Sequence, residues 1–179
     1  MTTSYRKSRK KIVIYGAPGS GKTRLARRLA KKYGIPHIEA DALRKIAQRG
    51  KTPVRSPFLF LPTTEAYQAI GKRTKENVIT GLLNVRNALH PTIAKQLEKY
   101  RRGFVLEAAF LDPKKLMKKG DHILLVAPPL REHRKQFFVH RKNDAFHRAQ
   151  FRNARVIQQY LISEARELGI PITRNGNRI

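Results

Sequence analysis

The segment that most constrains this chain is glycine-rich and joins a short apolar run to an amphipathic one. Residues 16–23 read GAPGSGKT, which satisfies the pattern G-x-x-x-x-G-K-[ST]. The run 11–15 before it predicts a strand, and the stretch 21–33 after it predicts a helix with its apolar side chains on one face. This order indicates a fold in which a glycine turn follows a buried strand.

The chemistry of this segment is that of a phosphate-binding loop. Its glycines allow successive backbone N–H groups to surround an anion at the positive end of the following helix. Lys22 can then reach the β- and γ-phosphates, and the Thr23 hydroxyl can complete the coordination of Mg²⁺. The alternative is a turn that only connects strand to helix. The loop predicts ATP and Mg²⁺ as cofactors, and the residues assigned to them are Gly16, Gly19, Ser20, Gly21, Lys22 and Thr23.

The net charge of +27 on 179 residues predicts anionic binding partners: nucleic acid, nucleotides or phosphorylated small molecules. Because the cations are spread along the whole chain, a generally basic, solvated surface is the alternative explanation. The chain has no cysteine, which excludes disulfides, thiolate metal sites and thiol catalysis.

The length suits one domain, and no apolar run approaches the ~20 residues that cross a bilayer. The first 11 residues hold five cations, but no apolar segment typical of a secretory signal follows them. We therefore expect a soluble, cytoplasmic protein without a membrane partner.

Short apolar runs alternate with longer amphipathic stretches, which predicts an α/β domain with a parallel sheet flanked by helices. The predicted strands are 11–15, 36–39, 103–108, 122–127 and 169–172, in the sheet order 2-3-1-4-5. The predicted helices are 21–33, then 76–101, which Pro91 should kink or divide, and 131–168, which should break near Asn143 and Asp144. The proline-containing segment 50–62 is predicted to be a loop with an apolar patch.

Acidic residues at predicted strand ends are candidates for chemistry, because the carboxyl ends of parallel strands face the ligand crevice. Asp41 is predicted to orient an acceptor hydroxyl as the base, and Arg44 to bind an acceptor phosphate or carboxylate. The alternative for Asp41 is a helix N-cap. Glu107 ends the apolar run 104–106 of the third predicted strand and is predicted to support Mg²⁺ through water, the alternative being a structural ion pair with an arginine.

The basic stretch after the fourth predicted strand predicts a helical lid. Arg134 and Arg141 are seven residues apart, so they should share a helix face and stabilise the charge of the transferred phosphoryl group. A solvated basic helix is the alternative. Three histidines at the same spacing are predicted to be surface residues or anion contacts and not metal ligands: His133, His140 and His147.

A phosphate loop leaves the phosphoryl acceptor open, because motors, GTPases and small kinases share it. The length leaves little room for the machinery of a motor, and no N-K-x-D run for guanine recognition is present. A compact phosphotransferase is the class that remains.

Three further segments resemble the archaeal 2-phosphoglycerate kinases. Residues 151–172 contain RVIQQYL followed by GIPI, similar to the carboxyl-terminal signature of that family, with its arginine displaced to Arg155. The run 105–113, VLEAAFLDP, is similar to the family's I-E-G-x-x-L-x-P run, with Ala108 where glycine is usual. Residues 63–67, TTEAY, are similar to its S-S-Y-x-A segment.

The resemblance implies a nucleoside-kinase-like P-loop domain over 11–179, after a basic tail over 1–10. It also implies transfer of the ATP γ-phosphoryl group to a small phosphorylated acceptor, with 2-phosphoglycerate first among the candidates. The alternative is a nucleic-acid-directed protein: an RNA or tRNA kinase, or an ATP-dependent RNA-binding factor. The sequence shows no RNP-type aromatic motif on which bases would stack.

Overall fold

A five-stranded parallel sheet in the order β2-β3-β1-β4-β5 organises the chain, and this order confirms the sequence prediction. The computed structural model describes residues 10–117 and 122–174, so residues 1–9 of the predicted basic tail lie outside the described part. The strands are β1 (Lys11–Tyr15), β2 (His37–Glu39), β3 (Phe104–Ala108), β4 (His122–Val126) and β5 (Ile172–Thr173).

Helices cover both faces of the sheet, as the apolar periodicity predicts. The helices are α1 (Lys22–Tyr33), α2 (Ala40–Ala47), α3 (Pro57–Phe60), α4 (Lys75–Leu97), α5 (Pro113–Leu116), α6 (Leu130–Phe138) and α7 (Ala145–Glu167), with a 3-10 turn over Ala66–Ala69. Helix α1 buries Leu25, Ala26 and Leu29 against one face, where they join Ile14 and Val105 in a core cluster. Helices α4 and α7 contribute to the larger core on the opposite face. None of the helices in the described ranges is both long and apolar enough to cross a membrane.

The strand register determines which groups meet at the carboxyl edge of the sheet. Ile14 of β1 lies opposite Glu107 of β3, and Glu39 of β2 lies opposite Glu107 from the other side. The phosphate-loop segment starts directly after Tyr15, so it emerges beside Glu107. The expectation that strand-end residues collect around one crevice therefore follows from the pairing.

Three local predictions are wrong. The predicted division at Pro91 does not occur: α4 runs from Lys75 to Leu97, with the exposed proline between the buried Leu89 and Ile93. The segment 50–62 is not only a loop, since it contains α3. The last strand starts at Ile172 and not at residue 169, because Gly169 has φ +65° and lies just beyond the end of α7.

Candidate functional site

The phosphate-loop segment has the backbone shape that its glycines permit. Gly19 and Gly21 have φ of 78° and 88°, which side-chain-bearing residues rarely adopt. A Cβ at Gly16 would lie 2.5 Å from the carbonyl oxygen of Val126, and one at Gly19 would lie 2.8 Å from the Phe137 ring. The loop is therefore held tightly between β4 and α6, and any larger residue at these positions would displace it.

Lys22 and Thr23 open α1 and meet Glu107 at the end of β3. The Thr23 hydroxyl donates to Glu107 Oε1 at 2.8 Å, and Lys22 Nζ lies 3.9 Å from Oε2. The Glu107 side chain is only 5% exposed, and Oε2 accepts no hydrogen bond from the described residues. A buried carboxylate oxygen without a donor is costly, and a cation next to it would remove the cost. The residues present thus fit a divalent cation beside the loop.

Asp41 and Arg44 occupy the other side of the same crevice. The N-cap position of α2 is Glu39, so Asp41 lies in the first turn with its side chain 66% exposed, and the N-cap alternative is wrong. Arg44 is 13% exposed and donates through one nitrogen to the carbonyl oxygens of Leu59 and Leu61 at 3.1 and 3.0 Å.

The Arg44 guanidinium is thereby fixed in place. It lies 5.0 Å from the centre of the Phe110 ring, and its Nε is 3.9 Å from Asp41 Oδ1. Burial lowers the pKa of Arg44, and the Asp41 carboxylate partly opposes this. A buried cation with fixed orientation beside an exposed carboxylate suits an anionic group that carries a hydroxyl.

One cavity of about 520 Å³ joins the two sides. Lys22 and Thr23 line it from the loop, Asp41 and Arg44 line it from α2, and Arg141 lines it from the segment after α6. Sequence reasoning did not assign the remaining polar lining, which comes from Thr63, Thr64 and Gln150. The sequence feature that could have pointed to Thr63 and Thr64 is their place in the segment 63–67, TTEAY. In the structure both threonines are buried.

Arg134 and Arg141, the two arginines predicted to act from a lid, do not lie on one helix. Helix α6 ends at Phe138, so Arg141 lies beyond it and the predicted shared face with Arg134 does not exist. Arg141 donates to the Phe137 carbonyl oxygen at 2.9 Å and stacks 4.4 Å from the Phe137 ring, which turns it into the cavity. Arg134 is exposed and is not among the residues that line the cavity.

His133 is buried, which contradicts its prediction as a surface residue. Its Nε2 lies 2.8 Å from the carbonyl oxygen of Pro18 in the loop, and its Nδ1 lies 3.3 Å from an Arg155 nitrogen. A neutral ring satisfies both contacts if Nε2–H donates to Pro18 and Nδ1 accepts from Arg155. Burial lowers the pKa of His133 to about 4, although the Pro18 contact acts in the opposite direction. His133 therefore connects α6 and α7 to the loop.

Comparisons with known proteins find sequence matches in the part of the chain that contains the phosphate loop. A family model described as an AAA domain matches residues 15–82, fewer than half of the chain. An adenylate kinase of Thermodesulfovibrio yellowstonii is 30% identical over 97 residues, which cover 54% of this chain and 39% of that protein. The chain spans less than two fifths of the length of the curated relatives it matches.

Solved structures show the same fold over nearly the whole chain. The protein TT1252 from Thermus thermophilus has a TM-score of 0.55 at 21% identity, covering 94% of this chain and 90% of its own. A shikimate kinase from Acinetobacter baumannii, in complex with shikimate, has a TM-score of 0.55 at 14% identity, covering 95% of this chain and 85% of its own. The chain therefore shares the fold of these two proteins, with a five-stranded parallel sheet flanked by helices.

Proposed function

We propose that this protein is an ATP-dependent phosphotransferase that acts, with Mg²⁺, on a hydroxyl of a small phosphorylated acceptor. The observation that carries the proposal is the single cavity in which Lys22 and Thr23 of the loop face Asp41 and Arg44. A kinase must bring a nucleotide phosphate and an acceptor hydroxyl into line within one enclosed space, and this cavity has both sets of groups.

The loop residues would bind the nucleotide. Backbone N–H groups between Gly16 and Gly21 would hold the phosphates, and Lys22 would neutralise the β- and γ-phosphates as charge develops on them. The Thr23 hydroxyl and the buried Glu107 carboxylate would hold Mg²⁺, Glu107 through water. Mg²⁺, when bound, supplies positive charge that stabilises the phosphate oxygens.

Asp41 and Arg44 of α2 would bind and orient the acceptor. Arg44 would bind its phosphate or carboxylate, and Asp41 would orient the hydroxyl whose oxygen attacks the γ-phosphorus. A bond then forms between that oxygen and phosphorus, the bond to the bridging oxygen of ADP breaks, and the hydroxyl proton passes to Asp41. Arg141, which lines the same cavity, would stabilise the transferred group, and the exposed Arg134 would act only if the lid closed further.

2-Phosphoglycerate is the acceptor we place first. The resemblance of the segments 63–67, 105–113 and 151–172 to archaeal 2-phosphoglycerate kinases supports it. Residues 63–64 line the cavity itself, and the fixed Arg44 guanidinium suits the phosphate or the carboxylate of such an acceptor. The adenylate and shikimate kinases among the similar proteins support small-molecule phosphorylation in general.

A nucleic-acid acceptor is the second candidate, and the distribution of charge on α1 favours it. Every exposed position of one helix face is cationic, and the residues are Arg24, Arg27, Arg28, Lys31 and Lys32. Such a stripe can follow a phosphate backbone without base recognition. The excess charge predicts weak tRNA binding under either proposal, so binding alone does not separate them.

The test is to follow label from [γ-³²P]ATP onto 2-phosphoglycerate, onto other small phosphorylated acids and onto total tRNA. We expect label on the small acid, with a shallow salt dependence because one or two arginines make the contact. A nucleic-acid enzyme would neutralise many phosphates, and its affinity would fall with log salt at about −0.7 to −0.9 per contact. Label on tRNA and on none of the small acids would overturn the main proposal.

A further inference from the structure

Strands β2 and β3 bring three metal-ligating residue types together beneath the phosphate loop. His37 and Glu39 are alternate residues of β2, so their side chains project from the same face of the sheet. Glu39 lies opposite Glu107 in the β2–β3 register. Neither His37 nor Glu39 belongs to the GAPGSGKT segment, and the phosphotransfer scheme above gives them no role.

The candidate ligand atoms of the three residues are slightly farther apart than they would be around a bound metal ion. His37 Nε2 lies 3.9 Å from Glu107 Oε1, and His37 Nδ1 lies 4.0 Å from Glu39 Oε1. One ligand atom from each of the three residues can be chosen so that all lie within 4.8 Å of one another. Ligand atoms about 2.0–2.2 Å from one zinc ion are roughly 3.3–3.6 Å apart in tetrahedral geometry, so side-chain rotations would close the site.

The second, independent observation is that two buried atoms of the group have no hydrogen-bond partner. Glu107 Oε2 and His37 Nε2 are both buried without a donor or acceptor among the described residues. The side chains of Glu107 and His37 are 5% and 15% exposed, so water reaches them poorly. Buried polar atoms are nearly always satisfied in folded proteins, and His37 Nε2 lies 3.9 Å from the other oxygen of the same Glu107 carboxylate, so a cation between the two side chains would satisfy it.

The positive charges already present leave room for a further cation. Lys22 stays 3.9 Å from Glu107 Oε2, beyond hydrogen-bond distance. Arg27 donates to Glu39 Oε1 at 3.0 Å, but the two side chains are 68% and 44% exposed, so this pair contributes little. The Thr23 hydroxyl engages only Oε1 of Glu107. Two carboxylates and one imidazole therefore face each other with their charge incompletely balanced.

We infer that His37, Glu39 and Glu107 form a binding site for a divalent transition-metal cation, of which Zn²⁺ and Mn²⁺ are the test ions. Imidazole nitrogen suits these cations, whereas Mg²⁺ selects oxygen ligands and keeps its waters. The site needs no nucleotide, because all three ligands come from the sheet. Occupation of the site would draw Glu107 away from Thr23 and Lys22, so the ion would change how the loop receives Mg²⁺ and nucleotide.

Calorimetric titration of the nucleotide-free protein with Zn²⁺ tests the inference, with Mg²⁺ as the comparison ion. We expect one Zn²⁺ per chain and no comparable Mg²⁺ binding. The His37→Asn variant should bind Zn²⁺ at least tenfold more weakly, because it loses the imidazole ligand. The matched control is His140→Asn, which removes an exposed histidine and should leave the affinity unchanged.

Pulsed EPR with Mn²⁺ gives a second readout that reports the ligand directly. We expect a ¹⁴N coupling from one imidazole in the parent protein and in His140→Asn, and its loss in His37→Asn. If His37→Asn fails to fold by circular dichroism, Glu39→Gln takes its place, since Glu39 is 44% exposed and its substitution disturbs no core. Glu39→Gln should then weaken Zn²⁺ binding at least tenfold.

Absence of stoichiometric Zn²⁺ binding would overturn the inference, and so would an unchanged Zn²⁺ affinity in whichever of the two ligand variants folds. A ¹⁴N signal that persists in His37→Asn would also overturn it, because another histidine would then be the ligand. These outcomes are independent of phosphoryl transfer. The Mg²⁺-dependent kinase reaction could succeed while Zn²⁺ binding fails, or fail while Zn²⁺ binds.

Discussion

Two buried carboxylates in this protein have opposite surroundings. Glu164 of α7 receives two hydrogen bonds from Arg86 of α4, at 2.6 and 2.8 Å, and a third from the Tyr160 hydroxyl at 3.2 Å. Glu107 receives one hydrogen bond, from Thr23, and its second oxygen has no donor among the described residues. Both side chains are less than 10% exposed, so both lack the compensation of bulk water.

The difference separates a structural role from a functional one. Glu164 and Arg86 join α4 to α7 outside the cavity lining, and both carboxylate oxygens of Glu164 accept hydrogen bonds without a ligand, although Arg86 Nε has no partner among the described residues. Burial alone would lower the pKa of Arg86, but the paired Glu164 carboxylate outweighs this and raises it. Glu107 stands at a strand end beside the loop, where a bound cation would complete its contacts. Of the two carboxylates, Glu107, which has an oxygen without a donor and lies beside the loop, is therefore the better candidate for a functional role.

The largest expected effect comes from Lys22, the cation that approaches Glu107. Lys22→Ala should reduce phosphoryl transfer about a thousandfold or more, because its charge acts on the transition state and not on packing. The free energy of unfolding should change by less than about 1 kcal/mol. The matched control is Lys31→Ala, an exposed lysine on the same helix, which should leave turnover unchanged. Turnover of Lys22→Ala at the parent rate would show that the loop is not the reaction site.

Arg86 tests the other side of the comparison. Arg86→Ala leaves Glu164 buried and unpaired, so the free energy of unfolding in urea should fall by about 3–5 kcal/mol. Arg27→Ala, which breaks an exposed ion pair, should cost no more than about 1 kcal/mol. Replacing both partners by apolar residues, as in Arg86→Met with Glu164→Leu, should recover much of the loss. A small effect of Arg86→Ala alone would mean that the pair does not hold α4 to α7.

His133 adds a third kind of buried polar group, neutral and satisfied on both nitrogens. Its folded-state pKa of about 4 lies below the ordinary value of 6.5, so the folded protein binds fewer protons between these values than the unfolded chain. Its contribution is present above about pH 6.5 and is lost as the pH falls toward 4, to a total of roughly 3 kcal/mol. Denaturation curves at pH 7, 5.5 and 4.5 measure the slope.

The His133→Gln variant keeps a donor for Pro18 but cannot titrate, so its stability should fall less steeply with acid than that of the parent. The exposed His140→Gln variant should retain the parent slope. Equal slopes in all three proteins would mean that His133 is protonated without cost in the folded state.

The smallest stability effect is expected at Glu107 itself. Glu107→Gln removes an incompletely paired charge, so the unfolding free energy should change by no more than about 1 kcal/mol in either direction. The same change should raise the Mg²⁺ concentration needed for half-maximal turnover. Glu164→Gln is the control, with a loss of stability and an unchanged Mg²⁺ requirement. A large loss of stability in Glu107→Gln together with a raised Mg²⁺ requirement in Glu164→Gln would contradict the assignment, because Glu164 would then be the functional carboxylate and Glu107 the structural one.

Features encoded within a few consecutive residues were predictable. The strand β1, the phosphate-loop segment and the helix α1 follow from apolar spacing and from glycines, because each needs only near neighbours. The break between α6 and α7 was also predictable from the residues around Asn143. The predicted division of the helix at Pro91 was wrong, because the local penalty of the proline does not include the tertiary packing of α4.

Features that depend on distant residues were not predictable in this way. The burial of His133 depends on a contact with Pro18, 115 residues earlier in the chain. The inward turn of Arg141 depends on where α6 ends and on the Phe137 ring, and heptad spacing described neither. The fixed position of Arg44 depends on the carbonyl groups of the segment after residue 58, which local reasoning treated as a loop.

The sequence by itself determined the glycine-dependent loop, the parallel arrangement of strands and the residue types at their carboxyl ends, since these follow from local sterics and from apolar periodicity. Only the tertiary structure decided which of those residues meet. Thr23 and Glu107 are 84 residues apart, and their contact exists because β1 and β3 are neighbours in the sheet. Whether a buried charge is satisfied depends on groups brought from other elements, and no local pattern of residues contains that information.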